Sequence, residues 1–434
     1  MKVWLVTVAE PLPTDPGGQR LYRTGMLANL LSNRGHEVTW WTSTFNHMQK
    51  LQRASTDCDV SFNDILIKML HGCGYARNIS ISRLLDHLQI AWSFRSHASV
   101  TRRPDIILCS YPTIELSREA VRYGLAQRVP VLLDIRDLWP DIIFDVLPLQ
   151  LRRAGKAMLF WLSAQAQYAL RKCTAVVGVS DAYLKWALHI AERGRSVHDG
   201  VFPLSYAIPE INPGNVKEAS EKLAGLGVDP GRLLLWYVGT FGRTYDLVPV
   251  IEAARRIAES GNENAQFVIT GTGDAEPQLR ELARGLTNVV FTGWLGASEI
   301  SWLRQNAAIG IQAYAAGAKQ GLANKLFEYI SAGLPVVSSL RGENETLIQE
   351  HGCGVTYKAG DPDDLLNKLV PLLSDANLRH EMGRRGKRLF EQYYSPQTIY
   401  EGLATHLERV AKDCSYIRRH EPVKSELSQT VFYH

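Results

Sequence analysis

The sequence predicts an α/β protein made of two doubly wound halves. Three observations predict it. Lys2–Ala9 and residues 233–239 (LLLWYVG) are short, near-continuous apolar runs, as strands buried on both faces must be. Between such runs lie segments with apolar residues at three- and four-residue spacing, such as Met26, Leu27, Leu30 and Leu31, which read as helices. The alternation begins at the N-terminus. It begins again near residue 233, after a stretch from 203 to 230 rich in Pro, Gly, Asn and charge.

Length and composition bound the reading. A chain of 434 residues holds two or three domains, each with a core of its own. With 45% hydrophobic and 21% charged residues it has globular proportions and is not a disordered chain. A net charge of +4 permits a phosphate-rich ligand or an anionic membrane surface and requires neither. No nucleic-acid partner is expected. The six cysteines (Cys58, Cys73, Cys109, Cys173, Cys353, Cys414) include no CxxC pair and read as reduced thiols. MKVWLVTVAE meets Glu10-Pro11 too soon to be a signal peptide, and no window of about 18 apolar residues exists. A cytoplasmic location is expected.

In the first half, the strand at 2–9 opens into PLPTDPGGQR, and a helix is expected from Leu21 to Arg34. Gly17 and Gly18 let backbone approach a ligand closely, although the spacing lacks GxGxxG and gives no dinucleotide fingerprint. A plain strand-to-helix turn explains them equally well. HEVTWWTS is the second strand, and the polar segment 44–58 follows its carboxyl end, where open α/β sheets gather ligands. His47, Lys50 and Arg53 in that segment could meet an acceptor phosphate, with a solvated basic loop as the favoured alternative. Further strands are expected at 61–69, 105–109 and VPVLLDI, and helices at 82–98 and 115–127. Arg136-Asp137-Leu138-Trp139-Pro140 sits at another strand's carboxyl end. An Arg there cannot be a base at neutral pH, so charge stabilisation is its plausible task, while Trp139 fits core packing as well as ligand contact. Residues 151–171 pattern as a helix opened by Arg152, Arg153 and Lys156 and followed by Met158–Leu162. A core helix is the favoured reading; a monotopic contact with the inner face of the cell membrane is the other.

The stretch 203–230 is placed as the inter-domain linker. In the second half, Gly239-Thr-Phe-Gly242-Arg243 puts glycines and a cation between strand and helix, which suits a diphosphate. FVITGTGD ends in a tight turn at Gly273, and NVVFTGWL ends at Trp294 and Leu295. Residues 317–338 carry the strongest local pattern. A glycine-containing loop ends near Gly321, a helix-compatible run covers Leu322 to Ala332, Gly333 and Pro335 stop it, and Val336-Val337 start a strand. Lys325 and Glu328 are three apart near the helix start. They read either as a surface ion pair or as a phosphate and ribose-diol contact.

KLFEYISAGLPVV at 325–337 resembles the signature helix of retaining family 4 nucleotide-sugar glycosyltransferases. The resemblance implies the GT-B fold, with two Rossmann-like domains facing a cleft and a last helix crossing back to the first domain. Its expected divisions are 1–205 for the acceptor side, 206–395 for the nucleotide sugar, 396–412 for the return helix and 413–434 for a tail. It implies Glu328 as the ribose ligand. Gln320 stands where the family has a glutamate that contacts the transferred sugar. It aligns Gly17, Gly18 and Arg20 with the loop beside the diphosphate and acceptor, and Trp294-Leu295 with backbone that reads the base. Arg136-Asp137 replaces the family's His-Asp, HDGVF carries Asp199 in place of an asparagine, and RDLWP resembles the cell-surface polysaccharide and L-fucosamine transferase subgroup.

The expected reaction moves a sugar, an N-acetylated or deoxy hexose carried on UDP being favoured, to a lipid-linked or saccharide acceptor with anomeric retention, in O-antigen or capsule biosynthesis. Arg243 and Lys325 would stabilise the leaving diphosphate, with Arg136 and Asp137 beside the reacting sugar. Gly17, Gly18, Gly242, Gly273, Trp294, Leu295, Gln320 and Glu328 would bind the donor, and Arg20, His47 and Lys50 the acceptor. No metal and no cofactor is expected. A nucleotide-sugar epimerase, a phosphorylase and a non-catalytic sugar-nucleotide binding protein are the alternatives.

Overall fold

Strand β1 (Lys2–Val6) runs through the middle of an eight-stranded sheet. The structure, a computed structural model, describes residues 1–16, 20–77, 80–141, 160–205 and 213–420. The chain divides into two units, the first made of Met1–Gly178, Tyr183–Phe202 and the chain from Tyr400 onward, the second of Val179–Ala182 and Pro203–Ile399.

The first unit contains β2 (Glu37–Ser43), β3 (Phe45–Asn46), β4 (Leu51–Gln52), β5 (Cys58–Phe62), β6 (Ile65–Leu70), β7 (Ile106–Tyr111), β8 (Val131–Ile135), β9 (Ala175–Gly178) and β10 (Gly200–Val201). The sheet order is β10-β9-β8-β7-β1-β2-β6-β5, parallel throughout except for β5 against β6. Consecutive residues of β1 face opposite ways. Trp4 and Val6 join Trp41, Phe94 and Leu133 on one face, while Val3 and Leu5 join Leu27, Leu31 and Trp40 on the other. Leu403, Leu407 and Val410 of the helix Pro396–His420 complete that second face. This helix therefore starts in the second unit and ends as part of the first unit's core.

The second unit holds β11 (Leu233–Val238), β12 (Ala265–Thr270), β13 (Val289–Gly293), β14 (Ala307–Gln312), β15 (Val336–Ser338) and β16 (Gly354–Thr356). They form one parallel sheet in the order β13-β12-β11-β14-β15-β16. Each sheet starts near its middle and is wound outward both ways. The order reverses between β1 and β7 in the first unit and between β11 and β14 in the second. Crevices at the carboxyl ends of strands open at such switch points.

Several expectations change. The strand expected at 61–69 is two strands, because Asn63 and Asp64 take positive φ (44° and 61°) and turn the chain into an antiparallel hairpin. Asn and Asp tolerate that region. The polar segment 44–58 contains the short β3–β4 hairpin as well as loop. The stretch placed as a linker contains a helix, Pro213–Gly225, which buries Ala219 and Leu223. The last helix reaches His420 and not 412. Arg152, Arg153, Lys156, Met158 and Leu159 lie outside the described residues. From Phe160 the expected helix is present and runs to Lys172.

Candidate functional site

The helix Asn324–Ser331 places two of the expected site residues, the catalytic candidate Lys325 and the donor-binding candidate Glu328. Leu326, Tyr329 and Ile330 are fully buried and fix its inner face. It stops where Gly333 takes a φ of 75° and the Leu334 N–H returns to the Tyr329 carbonyl, a glycine-dependent cap. Ala323 at its start offers no side-chain acceptor to the first turn.

Lys325 and Glu328 do not form the surface pair that their spacing allows. Lys325 is buried, 9% exposed, and its Nζ donates to the Tyr237 hydroxyl over 3.1 Å. That nitrogen lies 3.4 Å from the centre of the Tyr245 ring and 4.5 Å from that of Tyr237. No carboxylate reaches it among the described residues, and burial pulls its pKa well below the usual lysine range. Glu328 pairs instead with buried Arg304 over 2.5 Å, through Oε1. Arg304 also donates to the Glu328 carbonyl at 3.2 Å and to the Ser331 hydroxyl at 3.1 Å, so the carboxylate is rigidly presented. Its Oε2 has no hydrogen bond among the described residues, which suits a vicinal diol.

The loop after β11 lies against the same lysine. Gly239 has a φ of 152°, and a Cβ there would collide with the Lys325 side chain. A Cβ on Gly273 would sit 2.5 Å from the Phe241 carbonyl oxygen, so the two strand-end loops touch backbone to backbone. Gly242 is half-exposed and Arg243 is exposed, with no ion pair among the described residues. Both line a cavity of about 400 Å³ with Tyr245, Asp246 and Asp274. Trp294 is 79% exposed, whereas the Leu295 side chain belongs to the core, so only the backbone of Leu295 remains for a ligand. Gln320 is half-buried with an Oε1 that meets no hydrogen-bond donor among the described residues.

In the first unit the charged groups satisfy one another. Asp134, 0% exposed, accepts from Arg23 at 2.8 Å and 3.0 Å and from Arg136 at 2.8 Å. Arg136 also pairs with Glu10 and donates to the Thr24 hydroxyl at 3.0 Å. Burial alone would raise the Asp134 pKa, but the two guanidinium groups outweigh it and hold the carboxyl below its usual range. Each of the three nitrogens of the Arg136 guanidinium thus donates to a protein acceptor. Asp137 accepts from the Leu138 N–H at 2.8 Å, and burial raises its pKa.

His47 and Lys50 are brought together, with Lys50 Nζ 3.4 Å from His47 Nδ1. The Tyr75 hydroxyl is 2.6 Å from the same nitrogen, and Lys50 and Arg83 both lie over the Tyr75 ring. Burial, then the charges of Lys50 and Arg83, pull the His47 pKa down to about 4. Arg53 is tied to Asp15 at 2.7 Å and to the Ser43 and Phe45 carbonyls, which fixes the loop. Trp139 is a core residue with Arg83 above its ring at 4.5 Å. Arg20 is half-buried, and Gly17 and Gly18 lie outside the described residues. Sequence reasoning missed Arg304, Tyr237, Tyr245 and Glu10. Arg304 lies 24 residues from Glu328, and only three-dimensional placement reveals the pair.

Residues 232–375 match the family described as glycosyl transferases group 1. The fold is GT-B. A sucrose-phosphate synthase from Thermosynechococcus elongatus superposes with a TM-score of 0.68 at 16% identity, covering 96% of this chain and 99% of that one. HepE from Anabaena in complex with UDP gives 0.65 at 14% identity, covering 94% and 100%. WaaG, a glycosyltransferase involved in lipopolysaccharide biosynthesis, gives 0.63 at 15% identity, covering 94% and 99%. Among curated relatives, the sulfoquinovosyl transferase of Arabidopsis thaliana is 29% identical over 175 residues, 38% of this chain. An uncharacterised glycosyltransferase of Methanocaldococcus jannaschii is 22% identical over 248 residues, 56% of this chain. The matches span 31% and 60% of those relatives' own lengths. The group 1 match spans β11 to the helix Pro362–Ser374 and contains Arg243, Arg304, Gln320, Lys325 and Glu328.

The two units predict opposite mutational signatures. Asp134→Asn leaves two guanidinium groups short of their counter-charge and should cost about 3–5 kcal/mol in denaturant unfolding. The sign with pH is the same: the stabilisation is present above the ordinary aspartate pKa and is lost as pH falls through the lower folded value. Lys325→Met removes a buried amine that no carboxylate compensates among the described residues. The variant should unfold at the same or higher denaturant concentration than the wild type.

Proposed function

We propose that the chain is a retaining glycosyltransferase of the group 1 type that moves a sugar from a nucleoside diphosphate to a hydroxyl of a lipid-linked or saccharide acceptor. One observation carries the reading. At the β11/β14 switch point a buried lysine and an exposed arginine flank a glycine loop, one helical turn from the Glu328 carboxylate; among the described residues the lysine meets no carboxylate, the arginine forms no ion pair and one Glu328 oxygen has no hydrogen bond. That arrangement calls for a dianion next to a diol.

In the proposed step the bond between the anomeric carbon and the β-phosphate oxygen breaks. Its electron pair stays on the diphosphate, where Lys325 and Arg243 stabilise it together with backbone N–H groups. The acceptor oxygen forms the new bond on the same face, and its proton passes to the leaving phosphate oxygen. Glu328 holds the ribose through the oxygen that Arg304 leaves free. Arg136, with each guanidinium nitrogen bonded to Glu10, Asp134 or Thr24 and its charge balanced by two carboxylates, acts by fixing the β1 and β8 strand ends.

UDP is the favoured carrier, because HepE, which shares the fold, was solved with UDP. Gln320 favours an N-acetylated or deoxy hexose: its Oε1 is unpartnered among the described residues, and an amide both donates and accepts. RDLWP supports a role in surface polysaccharide assembly, within the L-fucosamine-type subgroup. Among the described residues no helix is long and apolar enough to cross a membrane. A peripheral contact at the start of the helix Phe160–Lys172 is proposed, supported by Phe160 at 71% and Trp161 at 39% exposure.

Turnover with a panel of UDP sugars tests the reading. Arg243→Ala and Lys325→Met should each lower kcat by about 100-fold or more while the proteins stay folded. Product NMR should show the donor's anomeric configuration. If UDP-glucose or GDP-mannose exceeds every UDP-N-acetylamino sugar by tenfold in kcat/KM, about 1.4 kcal/mol, the N-acetyl assignment is wrong. Anionic vesicles should bind the chain at low salt and release it at high salt. Equal binding to neutral vesicles would remove the electrostatic part of the membrane proposal.

A further inference from the structure

Lys325 enters the interior with its partners already chosen. Its Nζ donates to the Tyr237 hydroxyl at 3.1 Å, and that hydroxyl donates onward to the Thr240 carbonyl at 3.0 Å. A directed chain therefore runs from the ammonium into the glycine loop 239–243. The same nitrogen meets ring faces from three segments: Tyr245 at 3.4 Å, Tyr237 at 4.5 Å and Tyr314 at 5.4 Å. Tyr245 and Tyr314 are locked to each other by a backbone bridge and by rings 5.0 Å apart. The hydroxyl of Tyr329, on the lysine's own helix, is occupied elsewhere, between the Val238 N–H and the Ile311 carbonyl.

The charged groups nearby do not compensate the lysine. On its own helix Glu328 is held by Arg304. On the loop, Arg243 and Asp246 line the adjacent cavity, and neither forms an ion pair with Lys325. Ring faces attract an ammonium, yet they replace only part of its lost hydration. Burial therefore favours the neutral amine until an anion arrives.

We propose, on the reading of this unit as a nucleoside-diphosphate site, that Tyr237 and Tyr245 are positioning residues that store Lys325 and couple its charge to diphosphate binding. The diphosphate supplies the missing counter-charge, so binding draws a proton from solvent onto Nζ. The sign follows. The lysine's pKa is lowered in the free protein and raised toward its ordinary value in the complex. Between those two values each bound diphosphate takes up a proton, and affinity falls as pH rises across that window. Tyr237 serves both partners, because one hydroxyl orients the lysine and anchors the loop that would wrap the phosphates.

The experiment is calorimetric titration of the full chain with UDP and, separately, with uridine, from pH 6 to 9, in two buffers of different ionisation heat. The wild type should take up as much as about one proton with UDP and none with uridine, and Lys325→Met should abolish the uptake. Tyr237→Phe keeps the ring and removes the hydroxyl. It should bind UDP about tenfold more weakly, bind uridine unchanged, and lose UDP affinity at a lower pH than the wild type. Tyr245→Leu should move the same profile in the same direction by removing the nearest ring face. If UDP binds all three with one proton count and one pH profile, the two tyrosines only fill space and the inference is overturned. If the wild type binds UDP no better than uridine, the diphosphate reading itself falls, and this inference with it. Should Tyr245→Leu fail to fold, Tyr237→Phe decides alone.

Discussion

Lys325 is buried in the second unit with no carboxylate beside it among the described residues, and the surrounding loops are shaped around it. Charging it there without a counter-ion costs several kcal/mol after relaxation, which favours the neutral amine until an anion binds. The chain offsets part of that cost with ring faces and a hydroxyl at Lys325, and keeps a glycine at 239 so that the lysine has room. A leucine or methionine would fill this volume with no such cost. Retaining a lysine there makes sense if the missing charge is supplied from outside.

The first unit shows the opposite solution to the same problem. Arg23, Asp134, Arg136 and Glu10 bury two positive and two negative groups in one connected cluster, and Thr24 caps two of them. The cluster is neutral and internally satisfied. It ties the end of β8 to the chain following β1 and to the start of the helix Arg23–Asn33, so it fixes those strand ends. Both clusters lie at carboxyl ends of parallel strands, since the winding of each sheet opens a crevice there. The first cluster balances its charges internally, and Lys325 in the second meets no carboxylate among the described residues.

The strand–helix alternation, the glycine-stopped helix and the positions of Arg243, Lys325 and Glu328 were legible because each depends on neighbours within a few residues. The Arg304–Glu328 pair was not, since its partners lie on different helices joined only by folding. The tyrosine cage was hidden for the same reason: Tyr237 reads as a strand residue, and Tyr245 and Tyr314 read as loop aromatics. The hairpin at 63–64 had a local signal, the Asn-Asp pair, which the apolar run around it obscured. The helix at 213–225 sits in a segment whose prolines and glycines mark its edges and not an unstructured link.

The same logic of partners assigns proton roles in the first unit. His47 Nδ1 faces two donors, the Tyr75 hydroxyl and the Lys50 ammonium. A nitrogen between two donors must offer its lone pair, so the neutral ring carries its hydrogen on Nε2. Its low pKa keeps the ring neutral at physiological pH. Asp137 differs. Burial raises the pKa of its carboxyl and outweighs the opposing Leu138 N–H, the Arg83 charge and a hydrogen bond from the Trp139 side chain. A carboxylate made more basic by burial is the better proton acceptor.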